Sequence, residues 1–140
     1  MTRAVAHWSG VKTRFDVESE SGHRAVVDEP PLLGENAGMR PTEMLLGALG
    51  GCTGVNAVLL LKKNRQRFSS LKVDVQGEQA EQWPRAFVSI HIDFQIQWEA
   101  GFEPDRELVA QALDKACNTY CPVDATLSQG TRIEHSQSDL

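Results

Sequence analysis

Three cysteines are the residues in this chain whose types and spacing could do chemistry: Cys52, Cys117 and Cys121. Three is an odd number, so they do not form a closed disulfide framework. Cys121 directly precedes Pro122, which is able to occupy the first turn of a helix. A sulfur at such a helix start meets unpaired backbone donors, which favours the thiolate and therefore nucleophilic or redox chemistry. Cys52 lies among glycines and aliphatic residues, where a cysteine is ordinarily a small hydrophobe. On its residues alone it stands open between core and chemistry. Cys117 and Cys121 are four apart and would share a face of one continuous helix. Two sulfurs make a poor metal site, and His7, His23, His91 and His135 are scattered without ligand spacing. Neither a metal nor another cofactor is expected. The glycines around Cys52 do not fit GxGxxG, and no glycine-rich loop follows a strand, so nucleotide binding has no support.

The elements that must position these sulfurs can be read from periodicity. Arg3 to Trp8, Phe15-Asp16-Val17 and Ala25-Val26-Val27 read as short strands separated by Ser9-Gly10 and Ser21-Gly22 turns. Asp28-Glu29-Pro30-Pro31 stops pairing, and Leu32 to Arg40 is a loop. Pro41 suits a first helical position, and Glu43 complements the positive end of a long helix that carries Cys52. From Leu45 to Leu61 nearly every residue is apolar or small, which predicts a helix buried on most sides. Gly47, Gly50, Gly51 and Gly54 each cost that helix up to about 1 kcal/mol relative to alanine. Their spacing of three and four predicts close approach of another backbone along one face. Lys62, Lys63, Arg65 and Arg67 mark its C-terminal end.

Leu71, Val73 and Val75, then Ala86 to Trp98, alternate with polar residues and predict a hairpin closed through Trp83-Pro84. Asp105 is a cap for a helix ending near Tyr120. Cys121-Pro122 restarts a short helix through Leu127, stopped by Gly130, and Thr131 to His135 reads as a last strand. The order of strands, helix, strands and helices predicts one α+β domain over residues 1–140. Nineteen acidic against fourteen basic residues, a net charge of −5, argues against a general nucleic-acid binder. The longest uninterrupted apolar run, Ala57 to Leu61, is far short of the ~20 residues that cross a bilayer. Met1-Thr2-Arg3 leads into alternating residues rather than a signal core, so a cytoplasmic protein without membrane attachment is expected.

These residues also carry a resemblance. Pro41-Thr42-Glu43-Met44-Leu45-Leu46-Gly47-Ala48-Leu49-Gly50-Gly51-Cys52 resembles the first cysteine motif of the OsmC/Ohr family, the osmotically inducible and organic hydroperoxide resistance proteins. Tyr120-Cys121-Pro122-Val123 is similar to the second. Pro84-Arg85-Ala86-Phe87, Ser21-Gly22-His23-Arg24 and Val27-Asp28-Glu29-Pro30 match the same family in the expected order. The resemblance implies an OsmC-like fold, with antiparallel sheets around a long central helix, assembled as an intertwined homodimer whose active sites lie at the subunit interface. It implies a thiol peroxidase of oxidative-stress defence that reduces organic or fatty-acid hydroperoxides. Cys52 would be the peroxidatic residue, Cys121 the resolving one, and an external dithiol the reductant, while Cys117 reads as core.

The family's supporting groups are a glutamate and an arginine. The family glutamate lies one residue upstream, where this chain has Thr42, and Glu43 takes the neighbouring acidic position. Glu43 and Cys52 are nine residues apart, roughly 13 Å along a helix and on opposite faces. Glu43 would therefore reach a Cys52 only from a second subunit or across a kink at Gly50-Gly51. Arg14 is near the expected arginine position, with Arg24 and Arg85 in matching segments. The other function the resemblance allows is a non-catalytic OsmC-fold protein that binds a small hydrophobic ligand or senses redox state.

Overall fold

A computed structural model describes residues 1–130 together with 132, 134 and 136. The elements run β1 (Ala4–Trp8), β2 (Phe15–Ser19), β3 (Arg24–Val27), α1 (Pro41–Lys63), β4 (Phe68–Gln79), β5 (Phe87–Trp98), α2 (Arg106–Asn118) and α3 (Pro122–Gln129). The protein is thus a mixed α+β molecule with antiparallel sheets and one long helix. The strand expected at Thr131 to His135 falls outside the described residues. The chain packs as two compact units, Met1–Gly47 and Ala48–Leu140.

In the first unit β1, β2 and β3 form an antiparallel meander, with Ala6 opposite Val17 and Asp16 opposite Val26. The chain then leaves the sheet through Asp28, whose buried carboxylate organises the loop ahead of α1. It accepts from the Thr13 hydroxyl at 2.7 Å and from the backbone N–H groups of Glu29, Glu35 and Ala37 at 2.8, 3.0 and 3.1 Å. These donors, the Thr13 hydroxyl foremost, hold its pKa down at about 2 although burial opposes them. Glycine is required at position 34, because a Cβ there would collide with the Glu29 carbonyl and the Asp28 carboxylate. Pro41 opens α1 as the sequence predicts. Glu43 Oε1 accepts from the Arg40 backbone N–H at 3.1 Å and lies 3.8 Å from the Arg40 guanidinium, so its carboxylate caps the helix start.

The second unit holds the remaining length of α1, the β4–β5 hairpin, α2 and α3. Its core is Leu61 of α1 against Val109 and Ala112 of α2, surrounded by Phe68, Leu71, Ile96 and Trp98. Asp105 caps α2, accepting from the N–H groups of Glu107 and Leu108 at 3.2 Å. Buried Gln66, just past α1, accepts from the Asp105 N–H at 3.0 Å and so fixes where α2 begins.

Two expectations for α1 need correction. It is not buried on most sides: Leu49, Gly50, Thr53, Ala57 and Leu61 are inside, but Val55 and Leu59 are 60% and 62% exposed. The apolar composition that predicted burial all round instead supplies two apolar faces. Nor do the glycines share one role. A Cβ at Gly50 would come to 3.0 Å from Val75 Cγ2, and one at Gly54 to 3.2 Å from Val73 Cγ2, so β4 presses on that side. Gly47 and Gly51 face open space. Within the chain, the neighbours that exclude a side chain at Gly50 and Gly54 are valines of β4. By length and composition α1 also suffices to cross a membrane, which the short uninterrupted run did not disclose. Glycine, threonine, cysteine and asparagine break the run without making the helix polar.

The hairpin departs from strict alternation near its closed end. Glu78 pairs with Ser89 but Gln79 with Phe87, leaving Val88 as a surplus residue in β5. This is a β-bulge, which kinks a strand and re-aims its side chains. The expected polar-face residue Phe87 is therefore half-buried while Val88 is 65% exposed.

Candidate functional site

Cys52 sits on α1, half-buried, within a helix that runs unbroken through Gly50 and Gly51. Cys121 is the N-cap of α3 and is buried. Pro122 behind it has no N–H to satisfy, so the first free donors fall on Val123 and Asp124. The Asp124 N–H donates to Cys121 Sγ at 3.3 Å, making the sulfur itself the capping acceptor of the helix. The Cys52 sulfur lies near enough to Cys121 to push its pKa up. Two sulfurs 69 residues apart in sequence are thus brought face to face by α1 and α3. Asn56, one turn beyond Cys52, donates through Nδ2 to the Ala116 carbonyl of α2 at 3.3 Å and ties the two helices together near the pair.

The electrostatics of Cys121 run against the sequence expectation. Donors at a helix start favour a thiolate, and the N–H groups of Asp124 and Val123 do push its pKa down. Burial pushes it up more strongly, and the Cys52 thiol adds to the rise, so the net shift is upward. Loss of the Cys121 proton would place a charge in a poorly solvated site close to the Cys52 sulfur. Cys121 is held as a thiol. Cys117, at the last turn of α2, is also raised, chiefly by burial, with smaller pushes from Asp124, Cys121 and Asp114.

Beside the sulfur pair opens a cleft of about 270 Å³, lined by Leu49 of α1, Phe87 to Ile90 and Ile92 of β5, and Asp124, Leu127 and Ser128 of α3. Neither sulfur lines the cleft itself, but Leu49 lies one helical turn before Cys52, and Asp124 is the residue whose N–H holds Cys121. In a regular strand Phe87 and Ser89 would point away from Val88, Ile90 and Ile92. The bulge at Val88 puts Phe87 on the face of Ile90 and Ile92, and Val88 and Ser89 also line the cleft. A sequence scan for alternation has no sign of this wall, since the extra residue shows only in the pairing register.

The two proposed supporting groups sit in the first unit. Arg14 pairs through Nη2 with Asp16 Oδ1 at 3.3 Å, and its Nε–H has no partner among the described residues. Glu43 is engaged at the start of α1 with Arg40. Arg24 pairs with Glu18, while Arg85 turns back on the Ala80 carbonyl at the hairpin tip. Among the described residues no group of three or more His, Cys, Asp and Glu side chains gathers as a metal site.

Comparison with known proteins agrees with this architecture. The family model for OsmC-like protein matches residues 34–136. Protein YhfA of Escherichia coli (strain K12) is 34% identical over 122 residues, covering 85% of this chain and 84% of that protein. A hypothetical protein from Aquifex aeolicus VF5 has a crystal structure that superposes with a TM-score of 0.74 at 25% identity, covering 94% and 89% of the two chains. A Legionella pneumophila organic hydroperoxide resistance protein OsmC shares the fold, with a TM-score of 0.62 at 15% identity and coverage of 92% and 90%. With more than half its length matched, and with both cysteine motifs standing where the fold brings their sulfurs together, the chain belongs to the OsmC-like family.

Proposed function

We propose that the protein is a thiol peroxidase that reduces organic hydroperoxides in oxidative-stress defence. Membership of a family with hydroperoxide resistance members supports a redox or peroxide-related role. The observation that carries the finer reading is the proximity of the Cys52 and Cys121 sulfurs, with a cleft near their flanking residues. Cys52, as thiolate, attacks the terminal oxygen of R–O–O–H; the O–O bond breaks, R–OH leaves after taking up a proton, and Cys52 becomes a sulfenic acid. The Cys121 sulfur then attacks the Cys52 sulfur, expelling water and forming a disulfide. An external dithiol reduces that disulfide to two thiols and is itself oxidised. Retention of the Cys121 proton suits this order, because a resolving thiol has no task until the sulfenic acid exists. The orphan Nε–H of Arg14 is a donor suited to a thiolate or a peroxide oxygen, and Glu43 is the carboxylate suited to orient that guanidinium. We assign these roles across the subunits of a homodimer, because Glu43 and Cys52 stand nine residues apart on one unbroken helix. The protein is read as cytoplasmic, where dithiol reductants keep such a pair cycling.

The test mixes fully reduced protein with cumene hydroperoxide and follows peroxide loss and the Cys52–Cys121 disulfide by non-reducing peptide mass spectrometry. Wild type consumes one equivalent per Cys52 without dithiol and many with it, and Cys52→Ser consumes none. Absence of consumption by wild type, with dithiol in excess, leaves a non-catalytic ligand binder or redox sensor as the reading.

A further inference from the structure

Of the nine residues lining the cleft beside the sulfur pair, Asp124 alone carries a charge. The remainder are Leu49, the aromatic and aliphatic side chains of β5, Leu127, and the hydroxyls of Ser89 and Ser128. Asp124 is half-buried, and its Oδ1 accepts from the Ser128 hydroxyl at 2.9 Å, one turn along α3. No cation pairs with it among the described residues. Its charge is felt locally, for it contributes to the rise at Cys117. The cleft is therefore a trough of mixed lining with a single negative charge that no side-chain cation among the described residues pairs, fixed in direction by a neighbouring hydroxyl.

We propose that Asp124 makes this cleft charge-selective: it admits alkyl or aryl groups that are uncharged and rejects those bearing a carboxylate. The proposal rests on the peroxidase reading for its substrate, and within that reading it narrows the substrates to neutral organic hydroperoxides. A volume of about 270 Å³ fits an aryl ring with a few attached carbons, since a cavity of roughly 150 Å³ takes benzene. The cleft is lined by Leu49, one turn before Cys52, and by Asp124, whose N–H holds Cys121, so within the proposal an occupant reaching toward the sulfurs has its body against β5 and its flank near the Asp124 carboxylate. A second negative charge on that occupant meets an unpaired like charge in a site partly withdrawn from water, where Coulomb interactions are stronger than in bulk. A neutral group has no such penalty, and a hydroxyl or hydroperoxide proton can be donated to the carboxylate. Fatty-acid hydroperoxides whose carboxylate must enter the cleft are disfavoured, while their esters are not.

The test compares cumene hydroperoxide carrying a para-carboxylate with its methyl ester. The ester is expected to show a kcat/KM about tenfold higher, the scale of two like charges a few ångströms apart at a half-exposed site. In Asp124→Asn, which keeps the backbone N–H to Cys121, the ratio falls below about threefold, and in Ser128→Lys the carboxylate becomes the better substrate. The ratio is the readout, so a uniform loss of rate from disturbed packing does not move it. A ratio near one in wild type, or an unchanged ratio in both variants, overturns the proposal. A parallel arm titrates 4-isopropylbenzyl alcohol and 4-isopropylbenzoate into Cys52→Ser protein, which needs no turnover. If wild type consumes no peroxide, the peroxidase reading fails while this arm still decides: tighter binding of the alcohol upholds the charge selection, and equal affinity removes it.

Discussion

Asn56 Nδ2 and the carbonyl oxygen of Ala116 are joined at 3.3 Å, a bond between α1 and the closing turn of α2. Cys52 lies one turn before the donor, and Cys121 lies five residues beyond the acceptor, so this bond spans the base of the sulfur pair. Asn56→Ala leaves the Ala116 carbonyl without that donor and costs about 1 kcal/mol in thermal or denaturant unfolding. Its sharper effect is on closure: after a stoichiometric pulse of peroxide, the Cys52–Cys121 disulfide forms several-fold more slowly than in wild type. An unchanged closure rate would mean that the pair is held by α3 alone.

Acid should remove the contribution of Asp28 only at low pH. Its native pKa is held down at about 2 against an ordinary value of 3.8. A group depressed in the folded state contributes fully at pH values above the unfolded value, and that contribution is lost as the pH falls through the native one. The gap in melting temperature between wild type and Asp28→Asn is therefore wide at pH 6, begins to narrow below pH 4 and closes toward pH 2. A gap that stays constant from pH 6 to pH 2 would show that the charge of Asp28 is not what the Thr13 hydroxyl and the loop donors bind.

The outer stripe of α1 offers a direct test of self-association. Val55 and Leu59 are exposed and Gly51 faces open space, so in an isolated chain Val55→Glu and Leu59→Glu change stability by no more than about 0.5 kcal/mol. If a second copy covers this face, as the proposed homodimer requires, either variant shifts the sedimentation mass at micromolar concentration toward the 15.5 kDa of one chain. A wild-type mass near 15.5 kDa would end the proposal that Glu43 and Cys52 act across subunits.

Cys117 separates packing from chemistry. Its thiol is pushed up by burial, and its neighbours already make one sulfur pair without it. Cys117→Ala keeps peroxide consumption within about twofold of wild type and costs roughly 1 kcal/mol for the small void. Loss of catalytic cycling with the Cys52–Cys121 disulfide still forming would give Cys117 a part in its reduction.

What could be read in the sequence was what is encoded locally. Pro41, Asp105, Cys121-Pro122 and Gly130 mark ends of helices because a proline, a capping side chain or a glycine acts within one turn of itself. Both sulfurs were legible for the same reason, each within its own short motif. Helical spacing grouped Gly47, Gly50, Gly51 and Gly54, but which of them meet β4 depends on Val73 and Val75, some twenty residues away. The direction of the Cys121 shift was misread because the helix-start donors are local while the burial that outweighs them comes from the fold. The cleft wall was missed because a bulge is a property of two strands in register, and neither strand carries it alone.

That single surplus residue sets how the cleft can change. A deletion at Val88 would return β5 to ordinary pairing with β4 and leave Phe87 opposite Gln79, on the face of Ile90 and Ile92, removing only the Val88 panel of the wall. Substitutions among Phe87, Ser89, Ile90 and Ile92 can only trim a wall that already exists. Chain length at one position of the hairpin, and not side-chain identity alone, sets what lines this open cleft.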